Sequence, residues 1–216
     1  MPMAAEESLT RGGPPRSVIA FVAAEVAACE RAAGIAVRDD FAVYELSGRP
    51  VSLRAAVRRL VGRRPTVFGG GRFDLGWCRL VSASRALLVA APACRDAAAR
   101  RLAAVALDAP DITVADASRR HRVIALAGPR AASLSDSLTA AGGPRPAAVL
   151  RDAGRLELVV AATDDAGDLH RELLSYGRPY GALSVSAEAV DLLCAAHAVL
   201  GCQRGTPSHP LPRSTA

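Results

Sequence analysis

The sequence predicts an α+β protein with two pseudo-repeated strand–turn–helix units, and three observations carry that reading. "FAVYELSGRPVSLRAAVRRLVG" (Phe41 to Gly62) and "HRVIALAGPRAASLSDSLTAAGG" (His121 to Gly143) share one rhythm: an apolar strand, a corner of glycine and proline, then a helix. "RALLVAAPACRDAAARRLAAVA" (Arg85 to Ala106) and "RLELVVAATDDAGDLHRELLSYG" (Arg155 to Gly177) form a second pair, each an apolar strand, Ala-Ala, a polar loop and a helix ending in leucines. The order strand–turn–helix–strand–helix is therefore given twice, with Gly48 and Gly128 at matching corners. Duplicated units of this kind pack sheets against helices. Half of the 216 residues are hydrophobic, enough for a substantial core.

Taken in order, residues 1–16 and the stretch from Gly205 to Ala216 are small, polar and rich in Gly and Pro, and both are expected to be loose. The folded region is read as 17–204. "SVIAFVAAEVAAC" (Ser17 to Cys29) ends like a lipoprotein cleavage site, but Glu25 interrupts its apolar stretch and Glu6 and Glu7 precede it. Val18, Phe21, Val22, Val26 and Cys29 instead fall on one side of a helix running to about Ala33. "GIAVRDDFAVYELSG" reads as a turn followed by one alternating strand, with Val43 and Leu46 inward. After the Gly48–Pro50 corner, Leu53, Val57, Leu60 and Val61 share a helical face, with Arg54, Arg58 and Arg59 elsewhere. Proline suits a first helical turn because its missing N–H has no partner there anyway. Asp116 and Ser118 read as turn chemistry, and Ser186 as the N-cap of the last helix.

Several functions are disfavoured by composition. The formal charge of +6 comes from arginine alone, since the chain has no lysine, and aromatics are only 4%. Nucleic-acid surfaces mix Arg with Lys and stacking aromatics, so no nucleic-acid partner is expected. No apolar run reaches the roughly 18–20 residues that span a bilayer, so no membrane partner is expected either. Cys29, Cys78, Cys94, Cys194 and Cys202 are odd in number and widely spaced, without C-x-x-C, which favours reduced, buried thiols in a cytoplasm. His121, His170, His197 and His209 show no metal-ligand spacing, so no metal is expected. His170, beside Asp168, Arg171 and Glu172, reads as part of a solvated face. Neither a phosphate loop nor a G-x-S-x-G elbow is present.

The order of segments resembles a known family. "EVAACERAAGIAVRDDFAVYELSG", "GGRFDLGWCRLVSASRALLVAAPACRDAAARRL", "DITVADASRRHRVIALAGPRAASL" and "RLELVVAATDDAGDLHRELLSYGRPYGALSVSAEAVDLLCAAHAVLG" together span about residues 25–201. In that order they resemble the folate-binding region of the glycine-cleavage aminomethyltransferase (T-protein) family, which includes the gamma subunit of heterotetrameric sarcosine oxidases. The resemblance implies tetrahydrofolate as a cofactor and transfer of a one-carbon unit beside an aspartate of an Asp-Asp-Leu segment.

The same resemblance shows what differs. Phe73, Asp74 and Leu75 stand at the Asp-Asp-Leu positions, so Asp74 is the retained carboxylate and the catalytic candidate. Phe73, Asp74, Leu75, Cys194 and His197 are the implied cofactor-binding positions. "AAVLRDAG" (Ala147 to Gly154) stands in place of the pterin-holding Tyr-Thr-Gly-Glu, and Cys194 and Ala196 replace an arginine and a glutamate. Losing such charge-assisted bonds removes about 1.5–3 kcal/mol each. The resemblance also ends before the C-terminal barrel in which the family's enzymes continue, so full transferase activity is not expected. It implies a divergent transferase-like protein or accessory subunit of one-carbon or methylamine metabolism. The alternatives are a non-catalytic subunit scaffolding a larger complex, or an enzyme with a retooled pocket that has Asp74 as acid or base. A homo-oligomer or larger complex is expected, with a small-molecule ligand as a further possibility.

Overall fold

The runs Leu87–Val89, Val123–Ala127 and Leu158–Ala161 are apolar without alternation, so both faces of those strands require cover. The computed structural model describes residues 16–61, 70–140, 145–152 and 155–196 and supplies that cover with two sheets stacked between helices. The elements are α1 (Arg16–Arg31), β1 (Gly34–Arg38), β2 (Ala42–Gly48), α2 (Pro50–Val61), β3 (Gly70–Phe73), β4 (Gly76–Ser82), β5 (Arg85–Ala90) and α3 (Arg95–Asp108). They continue as β6 (Ile112–Asp116), β7 (His121–Ala127), α4 (Ala131–Ala140), β8 (Ala148–Asp152), β9 (Leu156–Ala162), α5 (Ala166–Gly177), β10 (Leu183–Ser184) and α6 (Ala187–Ala196). The architecture is α+β, as the sequence predicts.

One sheet runs β3-β4-β5-β2-β6 and the other β10-β1-β7-β9-β8. Helices α2 and α3 cover the outer face of the first through Leu53, Val57, Leu60 and Leu102. Helices α4 and α5 cover the outer face of the second through Leu134, Leu138, Leu169 and Leu173. Between the sheets lie Val43, Trp77, Leu87 and Val89 from one side and Val123, Leu150, Leu158 and Val160 from the other, with α6 closing the layer through Val190 and Leu193.

The first strands cross over. β1 pairs with β7 of the later corner, and β6 pairs with β2 of the earlier one. Tyr44 faces Asp116 at the end of β6, and Val123 faces Arg38 at the end of β1. The remaining registers are regular except in the β4–β5 pair, which shifts between Leu80 and Ser82. Ala42 faces Ala90 and Cys78 faces Leu88; His121 faces Ala162 and Ala148 faces Val160.

The two corner glycines sit where these crossings come closest. A Cβ on Gly48 would lie 2.4 Å from the Asp111 carbonyl oxygen, just before β6. A Cβ on Gly128 would lie 2.3 Å from the Cys29 carbonyl oxygen and 2.7 Å from that of Ala32, just before β1, and Gly128 has φ +130°. Both corners are thus closed by backbone against backbone.

Two expectations need correction, the single strand and the buried α1 stripe, while the inward reading holds for both Val43 and Leu46. Gly34–Gly48 is two strands in different sheets, not a turn and one strand, because the chain turns at Asp39 and Asp40. Val43 and Leu46 are both buried, but on opposite faces of β2, since odd spacing reverses the side-chain direction. The α1 stripe is buried only toward its end: Cys29 is covered and Val22 and Val26 partly so, while Val18, Ile19 and Phe21 are exposed. Glu25 caps α6, accepting hydrogen bonds from the Ser186 N–H at 3.1 Å and from its hydroxyl. Ser186 in turn accepts from the Ala189 N–H at 3.3 Å, as an N-cap does.

Gly128→Ala is expected to cost about 2–4 kcal/mol in urea denaturation, combining a positive φ with a backbone clash. Gly167→Ala, in α5 with nothing within 4 Å of the added methyl, is expected to be neutral or to stabilise by up to about 1 kcal/mol. Equal losses in the two variants would contradict this account of the corner.

Candidate functional site

Phe73 ends β3, Asp74 and Leu75 form the turn, and Gly76 opens β4, with Phe73 and Gly76 paired across the hairpin. Phe73 is buried and Leu75 half-buried against the α2/α3 layer, so these two side chains hold the turn down. Asp74 is exposed. Its Oδ1 accepts from Arg101 Nη1 on α3 at 2.7 Å, in an exposed ion pair. Such pairs contribute about 0–1 kcal/mol.

Cys194 lies on α6 in the layer between the sheets, so a whole sheet separates it from Phe73 and Leu75. His197 lies outside the described residues. Phe73 and Leu75 therefore pack on the outer side of the first sheet and Cys194 on its inner side. Burial pushes the Cys29 thiol up to about 11, helped by Glu25, and the Cys78 thiol up to about 12. Cys29, Cys78 and Cys194 are buried and not disulfide-bonded, whereas Cys94 is disulfide-bonded, which corrects the all-reduced expectation.

His170 also departs from the reading of a solvated face. It is half-buried, with Nε2 3.4 Å from Ser184 Oγ, and burial lowers its pKa. His121 is buried, with Nδ1 3.3 Å from the Ala117 carbonyl oxygen. Ser118 N–H donates to Asp116 Oδ1 at 2.9 Å, and the Val43 N–H donates to Ser118 Oγ at 3.0 Å, which is turn chemistry tying β6 to β2. No group of three or more His, Cys, Asp or Glu side chains among the described residues is placed to hold a metal.

Four features were not singled out from the sequence. Trp77 lies in the layer between the sheets with its indole N–H buried and unpaired, 6.3 Å from Phe41 between ring centroids. An unmet buried donor costs about 1–3 kcal/mol. The Arg38 side chain, 1% exposed, donates from Nε and Nη2 to Asp40 at 2.9 and 2.8 Å, and from Nη1 and Nη2 to Asp191 at 2.6 and 3.2 Å. It also lies 4.7 Å from the Phe41 ring centroid. Burial alone would lower its pKa, but the two carboxylates raise it. This cluster ties the end of β1 to α6.

The third feature is a cleft of about 430 Å³ where β4 meets β8, lined by Arg79, Arg145, Arg151, Ser135, Leu138 and Val149 among others. Arg79 donates to the Val149 carbonyl across the junction. Arg151 pairs with Asp136 and, at 3.6 Å, with the buried Glu157, which also accepts from Ser135. The fourth is a groove of about 400 Å³ beside Arg130, Tyr176 and Tyr180, with Arg130 5.3 Å from the Tyr180 ring centroid. Neither is lined by Phe73, Asp74, Leu75 or Cys194. The arginines were passed over because charge outside a motif reads as solvated surface; only their common approach in space marks them.

The fold is similar to that of glycine cleavage system aminomethyltransferase T from Bartonella henselae, with 16% identity and a TM-score of 0.59. That match covers 80% of this chain and 53% of the transferase, so this chain spans about half of its length. It is also similar to a chain of heterotetrameric sarcosine oxidase from Corynebacterium sp. U-96, solved with pyrrole 2-carboxylate, at 19% identity and a TM-score of 0.51. There the match covers 78% of this chain and 96% of the other. No family model matches the chain, and no curated protein matches it in sequence. The similarity is one of fold. No helix among the described residues is long and apolar enough to cross a membrane.

The Arg38 cluster makes a pH-dependent prediction. Hydrogen bonds from Arg38 hold the Asp40 carboxyl below the usual carboxylate range. A carboxyl whose pKa is depressed by folding contributes stability that is fully present above the unfolded value, about 4, and is lost as pH falls through the folded one. Urea denaturation at successively lower pH is therefore expected to show wild-type stability falling below about pH 4, with a shallower fall in Asp40→Asn. Identical slopes would remove Asp40 from the account.

Proposed function

We propose that this chain is a non-catalytic small subunit that holds a larger complex in tetrahydrofolate-linked one-carbon or methylamine metabolism. The observation that carries the reading is the use made of the family's ligand positions. Phe73 and Leu75 are spent on packing, Asp74 on an ion pair with Arg101, and Cys194 on the layer between the sheets. The near-complete coverage of the sarcosine oxidase chain supports a stand-alone small subunit, while the transferase is covered only in part. Val18, Ile19 and Phe21 on α1 and Leu192 on α6 supply exposed apolar side chains for association. A cytoplasmic location belongs to the same reading.

The fold is read as an internal pseudo-duplication, in which β2, α2, β4, β5 and α3 correspond to β7, α4, β8, β9 and α5. The matching registers support this, as do the crossed strands β1 and β6 and the two corner glycines.

A divergent transferase-like protein is the second reading, and Asp74 is the observation that favours it. Its carboxylate is exposed on a hairpin turn, where it can accept a proton or stabilise positive charge developing on a one-carbon unit. Light scattering on the purified protein is expected to find a homo-oligomer or, after co-expression with products of neighbouring genes, a larger complex. Calorimetry with tetrahydrofolate is expected to show no binding. A monomer under all these conditions that binds tetrahydrofolate, and binds it less tightly as Asp74→Ala, would replace the subunit reading with the transferase one.

A further inference from the structure

The cleft between β4 and β8 is not lined by Phe73, Asp74, Leu75 or Cys194, and its charges do not balance. Arg79 comes from β4 in one sheet, Arg151 from β8 in the other, and Arg145 from the approach to β8. Among the described residues no acidic side chain lines the cavity. The neighbouring carboxylates of Asp136 and Glu157 are both engaged by Arg151. Arg79 is half-buried and rests on a neutral carbonyl, that of Val149, while Arg145 is exposed at the rim. Two guanidinium charges thus face a concave space without a carboxylate to answer them.

The walls suit a small ligand. A volume of about 430 Å³ lies near the lower end of the range for small-molecule pockets. Leu138, Leu80 and Val81 add apolar lining beside the charges. A guanidinium presents a planar fork of N–H donors that grips two oxygens of a carboxylate or phosphate at once. Burial, and then the neighbouring charge of Arg151, lower the Arg79 pKa, which agrees with a cation that lacks a counter-charge.

We propose that this cleft binds a small oxyanion, a phosphate or a dicarboxylate, held by Arg79 and Arg145 with Arg151 completing the positive wall. The site goes beyond the subunit reading and does not depend on it. Occupancy would bridge β4 and β8, and so fasten the two sheets where they meet.

The test is calorimetry of the full-length protein with inorganic phosphate and, separately, succinate, at constant ionic strength made up with chloride. Saturable binding of at least one of them is expected, weakened about tenfold or more in Arg145→Ala and in Arg79→Met. Preference for phosphate over succinate, or the reverse, identifies which kind of oxyanion the cleft takes. Arg145 is exposed, so its variant keeps the test decisive if Arg79→Met fails to fold. No saturable heat with either anion, or unchanged affinity in Arg145→Ala, would overturn the proposal. Absence of tetrahydrofolate binding has no bearing on it, because the anions are titrated directly and the cleft is not lined by Phe73, Asp74, Leu75 or Cys194.

Discussion

The entry of β1 into the sheet of the later strands, with β6 closing the sheet of the earlier ones against β2, is the constraint on which the rest of this structure depends. The first sheet is made by the contiguous stretch from Ala42 to Asp116, whereas the second takes β1 from before that stretch and β7 to β10 from after it. β2 is flanked by β5 from its own stretch and by β6 from further along. β7 is flanked by β9 and, from the other direction, by β1. Because each of these pairings places a strand at the back of a corner, the corner must admit a second backbone at close range. Gly48 and Gly128 meet that steric demand, and alanine at either would push a methyl group against a carbonyl oxygen.

The layered core follows from the same geometry. Two sheets facing each other leave β5, β7 and β9 with no wet face, and their side chains are buried almost without break. The polar groups that enter this region must then find partners inside it. Arg38 does so with two carboxylates, and Arg79 with the open edge of β8. A side chain bonded to an edge-strand carbonyl also blunts an edge that would otherwise invite pairing with another chain.

The sequence made the corners, helices and paired strands legible because glycine, proline and the periodicity of leucine and valine are local signals. It could not show which strand joins which sheet. Asp39 and Asp40 divide a segment that reads as one strand, and nothing local in "GIAVRDDFAVYELSG" says that its two parts separate. The ligand positions were legible only as places in a pattern. That Phe73 and Leu75 turn inward, and that Asp74 meets Arg101 27 residues later, depends on how α3 lies across the hairpin. Arginines that share a cleft from β4, β8 and the segment before it leave no spacing to read at all.

The placement of β1 also governs the order in which the chain can mature during synthesis. β1 leaves the ribosome early, yet its antiparallel partner, the stretch from Val123 to Ala127, follows only after α2, α3 and β2 to β6 have been made. Pairing over such separations closes large loops and slows folding. Until then Ile35 and Ala36, fully covered in the finished protein, have no sheet to enter. The nascent chain therefore passes through a long interval with an apolar strand unpaired, the kind of species that aggregates when crowded and that chaperones hold. A slow translation rate or a holding chaperone would affect this protein more strongly than one of the same size whose strands pair with their neighbours.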